Sequence, residues 1–207
     1  MRYDILLAGV GGQGVLSMAA IIGRAALGEG RSVKQSEVHG MAQRGGAVQA
    51  HLRLSDHQIE SDLIALGTAQ LILSLEPVES LRYLDYLSPE GTLVTSADPF
   101  RNIADYPDVG GILAKVRSLP RAVVLEAERI AMEAGDVQAL NTVMVGAAAT
   151  LLPLRFESIE RAVAETFRSK GATVVAVNLS ALRAGRDVAW RGEAGAGATP
   201  IVQGTDR

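Results

Sequence analysis

The apolar positions of the chain recur with two different periods, and the switches between them mark out its elements. Residues 3–7, Tyr-Asp-Ile-Leu-Leu, form a short strand-like run that breaks at Ala8-Gly9-Val10-Gly11-Gly12-Gln13-Gly14-Val15. Beyond the break, Val15, Leu16, Met18, Ala19, Ile22, Ala25 and Ala26 fall along one broad helical face, and Gly28 to Gly30 ends the pattern where a C-cap is expected. The start reads as strand, glycine turn, helix, with the helix opening at Gly12 or Gln13. Residues 32–36 follow at the distance of a right-handed crossover and read as a weaker strand, and residues 37–46 as a functional loop. From Ala47 to Leu54 the period becomes strict alternation. Val48, Ala50, Leu52 and Leu54 share one face and Gln49, His51 and Arg53 the other, which predicts a half-exposed strand.

Residues 55–58 make a polar turn, and residues 59–63 read as a turn or a short return strand. The continuous apolar run 69–75 predicts a central strand covered on both faces. Pro77 suits the first turn of a helix whose stripe is Val78, Leu81 and Leu84, reaching toward Leu87. A turn at 89–91, a strand at 92–95, a loop from 98 to 111, a helix carrying Ile112, Leu113 and Val116, and a buried strand at 122–125 follow. Helices are predicted over 126–134, over the nearly charge-free segment 141–152, over 158–168 and over 172–184, where Gly185 would cap. Strands alternating with helices predict a Rossmann-like, doubly wound α/β fold: a mostly parallel sheet with helices on both faces, forming one domain over residues 1–185. Residues 186–207, poor in apolar bulk, read as a flexible tail.

Composition narrows the function classes. With 207 residues, 48% of them hydrophobic, the chain can bury one sizeable core. A net charge of −3 supplies no basic field for a phosphate backbone, so nucleic acid is not an expected partner. The absence of cysteine excludes disulfides, thiolate zinc sites and iron–sulfur clusters ligated by cysteines of this chain. No stretch of 18 apolar residues and no signal-peptide pattern occurs, so the expectation is a cytoplasmic protein with no membrane partner. The small-residue helix at 141–152 and the strand at 47–54 are the surfaces through which isolated chains could form a homo-oligomer.

Glycines 9, 11 and 14 fit the G-x-G-x-x-G spacing, in which a tight turn and a helix N-terminus approach a phosphate or carboxylate. A dinucleotide site wants an acidic residue about 20 residues further on for the ribose hydroxyls. That place holds Lys34-Gln35-Ser36, with Glu37 just beyond, so stand-alone NAD or FAD binding stays an alternative. The second loop, Ser36-Glu37-Val38-His39-Gly40-Met41-Ala42-Gln43-Arg44-Gly45-Gly46, decides more. In isolation Glu37 and Arg44 read as a solvated ion pair and His39 as a capping histidine. At the carboxyl end of a strand and beside the glycine turn, Arg44 with Gly45 and Gly46 offers a guanidinium and freely oriented backbone N–H groups, an anion clamp. His51 and His57 read as structural. No Ser/His/Asp order, His-Glu-x-x-His or Walker lysine supports independent hydrolysis or NTP turnover.

Gly-Val-Gly-Gly-Gln-Gly-Val-Leu at 9–16, the loop at 36–46, Glu76-Pro77 and Asn-Thr-Val-Met-Val-Gly-Ala at 141–147 together resemble the gamma-type domain of 2-oxoacid:ferredoxin oxidoreductases, with the indolepyruvate-type branch the nearest pattern. The resemblance covers about residues 1–185. It implies a small, non-redox subunit that assigns no cofactor, metal or catalytic residue to this chain alone. Thiamine diphosphate, Mg2+ and iron–sulfur clusters would sit on a large (alpha) partner subunit, ferredoxin would be reached through the complex, and coenzyme A would be co-substrate in oxidative decarboxylation to an acyl-CoA. Gly11, Gly12, Gln13, Gly14, Glu37, His39, Arg44, Gly45 and Gly46 would line an edge facing coenzyme A or the partner. A scaffold without ligand is the remaining alternative.

Overall fold

The computed structural model describes residues 1–39, 45–101 and 105–196, with residues 39 and 190–196 described by their backbone alone. Six strands form one sheet: β1 (Arg2–Val10), β2 (Ser32–His39), β3 (Ala47–Ser55), β4 (Ala69–Ser74), β5 (Leu87–Ser96) and β6 (Ala122–Leu125). Their order is β2-β3-β1-β4-β5-β6. β1, β4, β5 and β6 pair in parallel, whereas β3 runs antiparallel to both β1 and β2. The expected mostly parallel α/β sheet is present, mixed by that one reversed strand. Winding reverses between β1 and β4, where an open α/β sheet leaves a crevice at its strand ends.

Ile5, Leu6 and Leu7 of β1 have no solvent exposure, and burying each such side chain stabilises the fold by ~1.5–3 kcal/mol. One face of the sheet carries α1 (Val15–Gly28), α4 (Ala127–Ala134), α5 (Leu140–Ala148), α6 (Phe156–Phe167) and α7 (Ala172–Ala196), packed over Ile5, Leu7, Leu52, Leu71, Leu73 and Val94. α5 and α7 cross closely. A Cβ at Gly146 would overlap the Leu182 carbonyl, and one at Gly185 the Val143 carbonyl. On the other face α2 (Pro77–Arg82) and α3 (Val109–Arg117) cover Leu6, Ile72 and Leu93.

Several expectations are corrected. β3 is not half-exposed: His51 and Arg53 retain 2% and 5% of their surface. Asp4 pairs with Arg53 at 2.9 Å, and the segment 56–68 straps over them, with Ser61 and Leu63 carbonyls accepting from Arg53 and the Ile64 N–H donating to His51 Nδ1. Nor are β3 and α5 contact surfaces for a second copy, since both are interior. Glu37 to His39 continue β2, because β3 pairs with them as far as Val48. The turn placed at 89–91 lies within β5, Leu87 opens that strand, and α2 stops at Arg82 before a 3₁₀ turn at Leu84–Tyr86. α7 runs on to Ala196, into the stretch read as a tail. Its Ala189 is buried, and the Arg186 guanidinium lies 4.0 Å from the Phe156 ring centroid.

Candidate binding edge at the strand ends

The glycine turn closes the carboxyl end of β1; its steric demands are local at Gly9, whereas at Gly14 a Cβ would run into the Asn141 side-chain amide. A Cβ on Gly9 would come within 2.8 Å of Val15 Cγ2, so α1 reaches β1 only over a glycine. Gly12 and Gly14 have φ of 103° and 84°, left-handed values that side chains disfavour. Gly14 is the N-cap, no side chain caps the helix, and α1 begins at Val15 rather than at Gly12 or Gln13. Gln13 turns inward. Its Oε1 accepts the Val10 N–H at 2.8 Å and its Nε2 donates to the Leu75 carbonyl at 3.4 Å, which ties β1 to β4 across the reversal of winding. Gly12 is the exposed member of the turn, with open space where a Cβ would stand.

The second loop joins this turn through its described end. Gly11 N–H donates to the Gly46 carbonyl at 2.8 Å and Gly45 N–H to the Gly11 carbonyl at 3.3 Å, extending the β1–β3 ladder past Val10 and Ala47. Gly11, Gly12, Gln13, Gly14, Gly45 and Gly46 therefore form one continuous edge. Glu37 does not share it: it lies opposite Ala50, which lies opposite Leu7, two strand spacings or ~10 Å from β1. In a dinucleotide fold the strand bearing the ribose acid neighbours the glycine strand, and here the reversed β3 fills that place. His39 ends β2 in the same ladder row as Val48 and Gly9 and is described by its backbone alone. Arg44 lies outside the described residues.

Two further groups belong to the edge. Asn141, near the start of α5, donates from Nδ2 to the Gly14 carbonyl at 3.2 Å, and Ser17 N–H donates to the same oxygen at 2.9 Å. Its sequence signal was a single amide opening an apolar stretch. Glu76, 1% exposed after β4, accepts the Glu79 N–H at 2.9 Å, capping α2, and takes the Tyr106 hydroxyl on its other oxygen. Burial first, then that hydrogen bond to Glu76, raises the Tyr106 phenol above its ordinary range. Burial also raises the Glu79 carboxyl, opposed by Arg82 at 2.9 Å. The edge is thus a backbone surface whose exposed member is Gly12, while Glu76 stays buried after β4 as the cap of α2. Among the described residues no group of three or more His, Asp or Glu side chains is arranged to hold a metal ion, and no helix is long and apolar enough to cross a membrane.

Fold and edge define a Rossmann-like α/β module with an unusual reversed strand beside its glycine turn. Residues 4–188 match the family Pyruvate ferredoxin/flavodoxin oxidoreductase, and the chain belongs to that family. It is 38% identical over 201 residues to the indolepyruvate oxidoreductase subunit IorB of Archaeoglobus fulgidus, covering 93% of this chain and 98% of the relative. The subunit of that name from Methanothermobacter thermautotrophicus is 37% identical, over 89% of this chain and 96% of its own. The 2-oxoglutarate synthase subunit KorC of Methanothermobacter marburgensis is 31% identical over 93% of this chain and 100% of that subunit. Among solved structures, the 2-oxoglutarate:ferredoxin oxidoreductase of Magnetococcus marinus, with 2-oxoglutarate, coenzyme A and succinyl-CoA bound, superposes with a TM-score of 0.73 at 20% identity, over 92% of this chain and 31% of that one. The gamma subunit of a keto/oxoacid ferredoxin oxidoreductase from Geobacter sulfurreducens gives 0.68 at 24% identity, over 91% and 99%. At these identities the likeness is one of fold.

Proposed function

We propose that the chain is the small, non-redox subunit of a cytoplasmic, thiamine-diphosphate-dependent indolepyruvate or aryl-pyruvate:ferredoxin oxidoreductase, inactive until joined by its large subunit. The observation that carries this reading is the near full-length similarity to indolepyruvate oxidoreductase subunits, at higher identity than to a 2-oxoglutarate relative. The cysteine-free sequence agrees with it, since the electrons of the reaction need iron–sulfur centres held elsewhere. Thiamine diphosphate and Mg2+ on the large subunit supply the decarboxylation chemistry, and coenzyme A carries off the acyl group. This chain's part is positional: the edge from Gly11 to Gly14 with Gly45 and Gly46 faces coenzyme A at the subunit boundary, and Arg44 contributes its charge to that contact. The reversed β3 beside the turn favours that ligand over NAD or FAD, because Glu37 stands a strand too far away for a ribose contact.

Reconstitution tests the reading. The purified chain alone should give no 2-oxoacid-dependent dye reduction, and adding the large subunit should restore it with indolepyruvate ahead of pyruvate and 2-oxoglutarate. Activity of the lone chain, or a preference for 2-oxoglutarate, would overturn it. In the complex, Arg44→Ala should raise the KM for coenzyme A while the subunits still co-purify. Loss of co-purification would favour the scaffold reading instead.

A further inference from the structure

On the helical face, far from the glycine turn, α1 and α6 leave between them a groove of about 160 Å3 lined by Arg24, Ser158, Arg161 and Glu165. Arg24 is nine residues beyond the first residue of α1, ~14 Å along the helix axis from the turn. We propose that this groove binds a phosphate-type oxyanion. It holds two guanidinium groups and one carboxylate, a net excess of one positive charge. Arg161 is exposed, and among the described residues its guanidinium has no ion pair or hydrogen bond. Arg24 stands 3.6 Å from Glu165, an ion pair with both side chains substantially in water, so the contact is weak and readily exchanged for a stronger anion. Ser158 is the telling residue. It is 7% exposed, lines the groove, and its hydroxyl has no hydrogen-bond partner among the described residues.

The Ser158 oxygen is not sealed off: it opens onto the groove, where a ligand oxygen can take the place of water. Ser158 also sits in the first turn of α6, whose N-cap Arg155 gives no side-chain cap, so the positive end of that helix dipole adds to the field. A tetrahedral oxyanion matches the set: oxygens for two guanidinium forks and one for the Ser158 hydroxyl. Glu165 opposes an anion and supplies a test of sign. The site is separate from the edge facing coenzyme A and does not depend on which 2-oxoacid the family member uses.

Calorimetric titration of the full chain with inorganic phosphate, and separately with methyl phosphate, against chloride at equal ionic strength, tests the inference. One saturable site in the millimolar range is expected. Arg161→Gln should weaken it by about tenfold and Ser158→Ala severalfold, whereas Glu165→Gln should tighten it. Circular dichroism checks that each variant is folded. Tight binding of the monoester assigns the groove to a phosphoryl group on a larger ligand, and binding of inorganic phosphate alone assigns it to the free ion. Absence of saturable binding for both anions, or affinities unmoved by Arg161→Gln and Glu165→Gln, would overturn the proposal.

Discussion

One ladder row on the sheet face opposite α1 runs from Ser36 through His51, Leu6, Ile72 and Leu93 to Ala122, and its two ends are built on opposite chemistry. Toward β6 the row is apolar and lies under α2 and α3. Toward β2 it is polar, and among the described residues no α-helix covers it; the strap at 56–68, pinned by Arg53 and His51, and the Tyr86 ring do. Both ends are dry. The apolar end is closed by packing, which any chain of suitable volume can supply, whereas the polar end is closed by specific partners, so its loss should be steeper and more sensitive to conditions.

Arg53→Ala carries the largest expected effect. It strips Asp4 Oδ1 of its partner, leaving only Arg2 on Oδ2 at 2.6 Å, and frees the Ser61 and Leu63 carbonyls of the strap, and these losses together should cost about 3–5 kcal/mol in urea unfolding. Ile72→Ala, in the apolar half of the row, should cost about 2–5 kcal/mol and be indifferent to salt. If Arg53→Ala cost under about 1 kcal/mol, the pair would be behaving as a solvated surface pair and the contrast between the two ends would fail. Away from this face, Gly146→Ala should cost about 1–3 kcal/mol by forcing α5 off α7, read from the thermal midpoint. No loss there would mean that the helices can part freely.

The same contrast explains what could be read from the chain. The glycine turn was legible because its constraints are local: positive φ at Gly12 and Gly14 and the approach of Val15 to Gly9 involve neighbours in sequence. β4 was legible as an unbroken apolar run, whereas the first half of β5, carrying Pro89-Glu90-Gly91, read as a turn. β3 was misread because alternation reports only that one set of residues is polar, and water and a buried counter-charge satisfy that pattern equally well. Asp4, which decides between them, is 49 residues away. Asn141 was visible as part of a motif, but its role was not, since its partner Gly14 lies 127 residues earlier. Arg186 to Ala196 reads as a tail by its lack of apolar bulk, yet Ala189 and the Arg186 contact with Phe156 give that stretch a surface to pack on.

Gln13 tests whether the ligand edge resembles the polar or the apolar end. Gln13→Ala leaves the Val10 N–H without its acceptor and unties β1 from β4, which should cost about 1 kcal/mol of stability. If the edge positions coenzyme A, the variant complex should show a larger loss in KM for coenzyme A than in kcat. Equal affinity for coenzyme A in the variant and the wild type would separate the turn from the ligand and leave Gln13 a purely internal brace.

The smallest effect is a pH slope at the polar end. Burial first, then the neighbouring Arg53 cation, lowers the His51 pKa from its ordinary 6.5, with Asp62 and Asp4 pulling the other way. The geometry agrees: Nδ1 accepts the Ile64 N–H at 3.0 Å, which it can do only unprotonated, and the Tyr86 ring packs edge-on at 5.4 Å. The folded state therefore holds His51 neutral at pH values where the unfolded chain has already taken up a proton. Its contribution is fully present above pH 6.5 and is lost as pH falls from there through the folded-state value. The slope of stability against pH in that window is bounded at about 1.4 kcal/mol per unit for one proton. His51→Gln keeps an acceptor within reach of Ile64 and removes the titration, so urea midpoints measured from neutral pH downward should flatten relative to wild type through this window. A slope unchanged in His51→Gln would assign it to other groups.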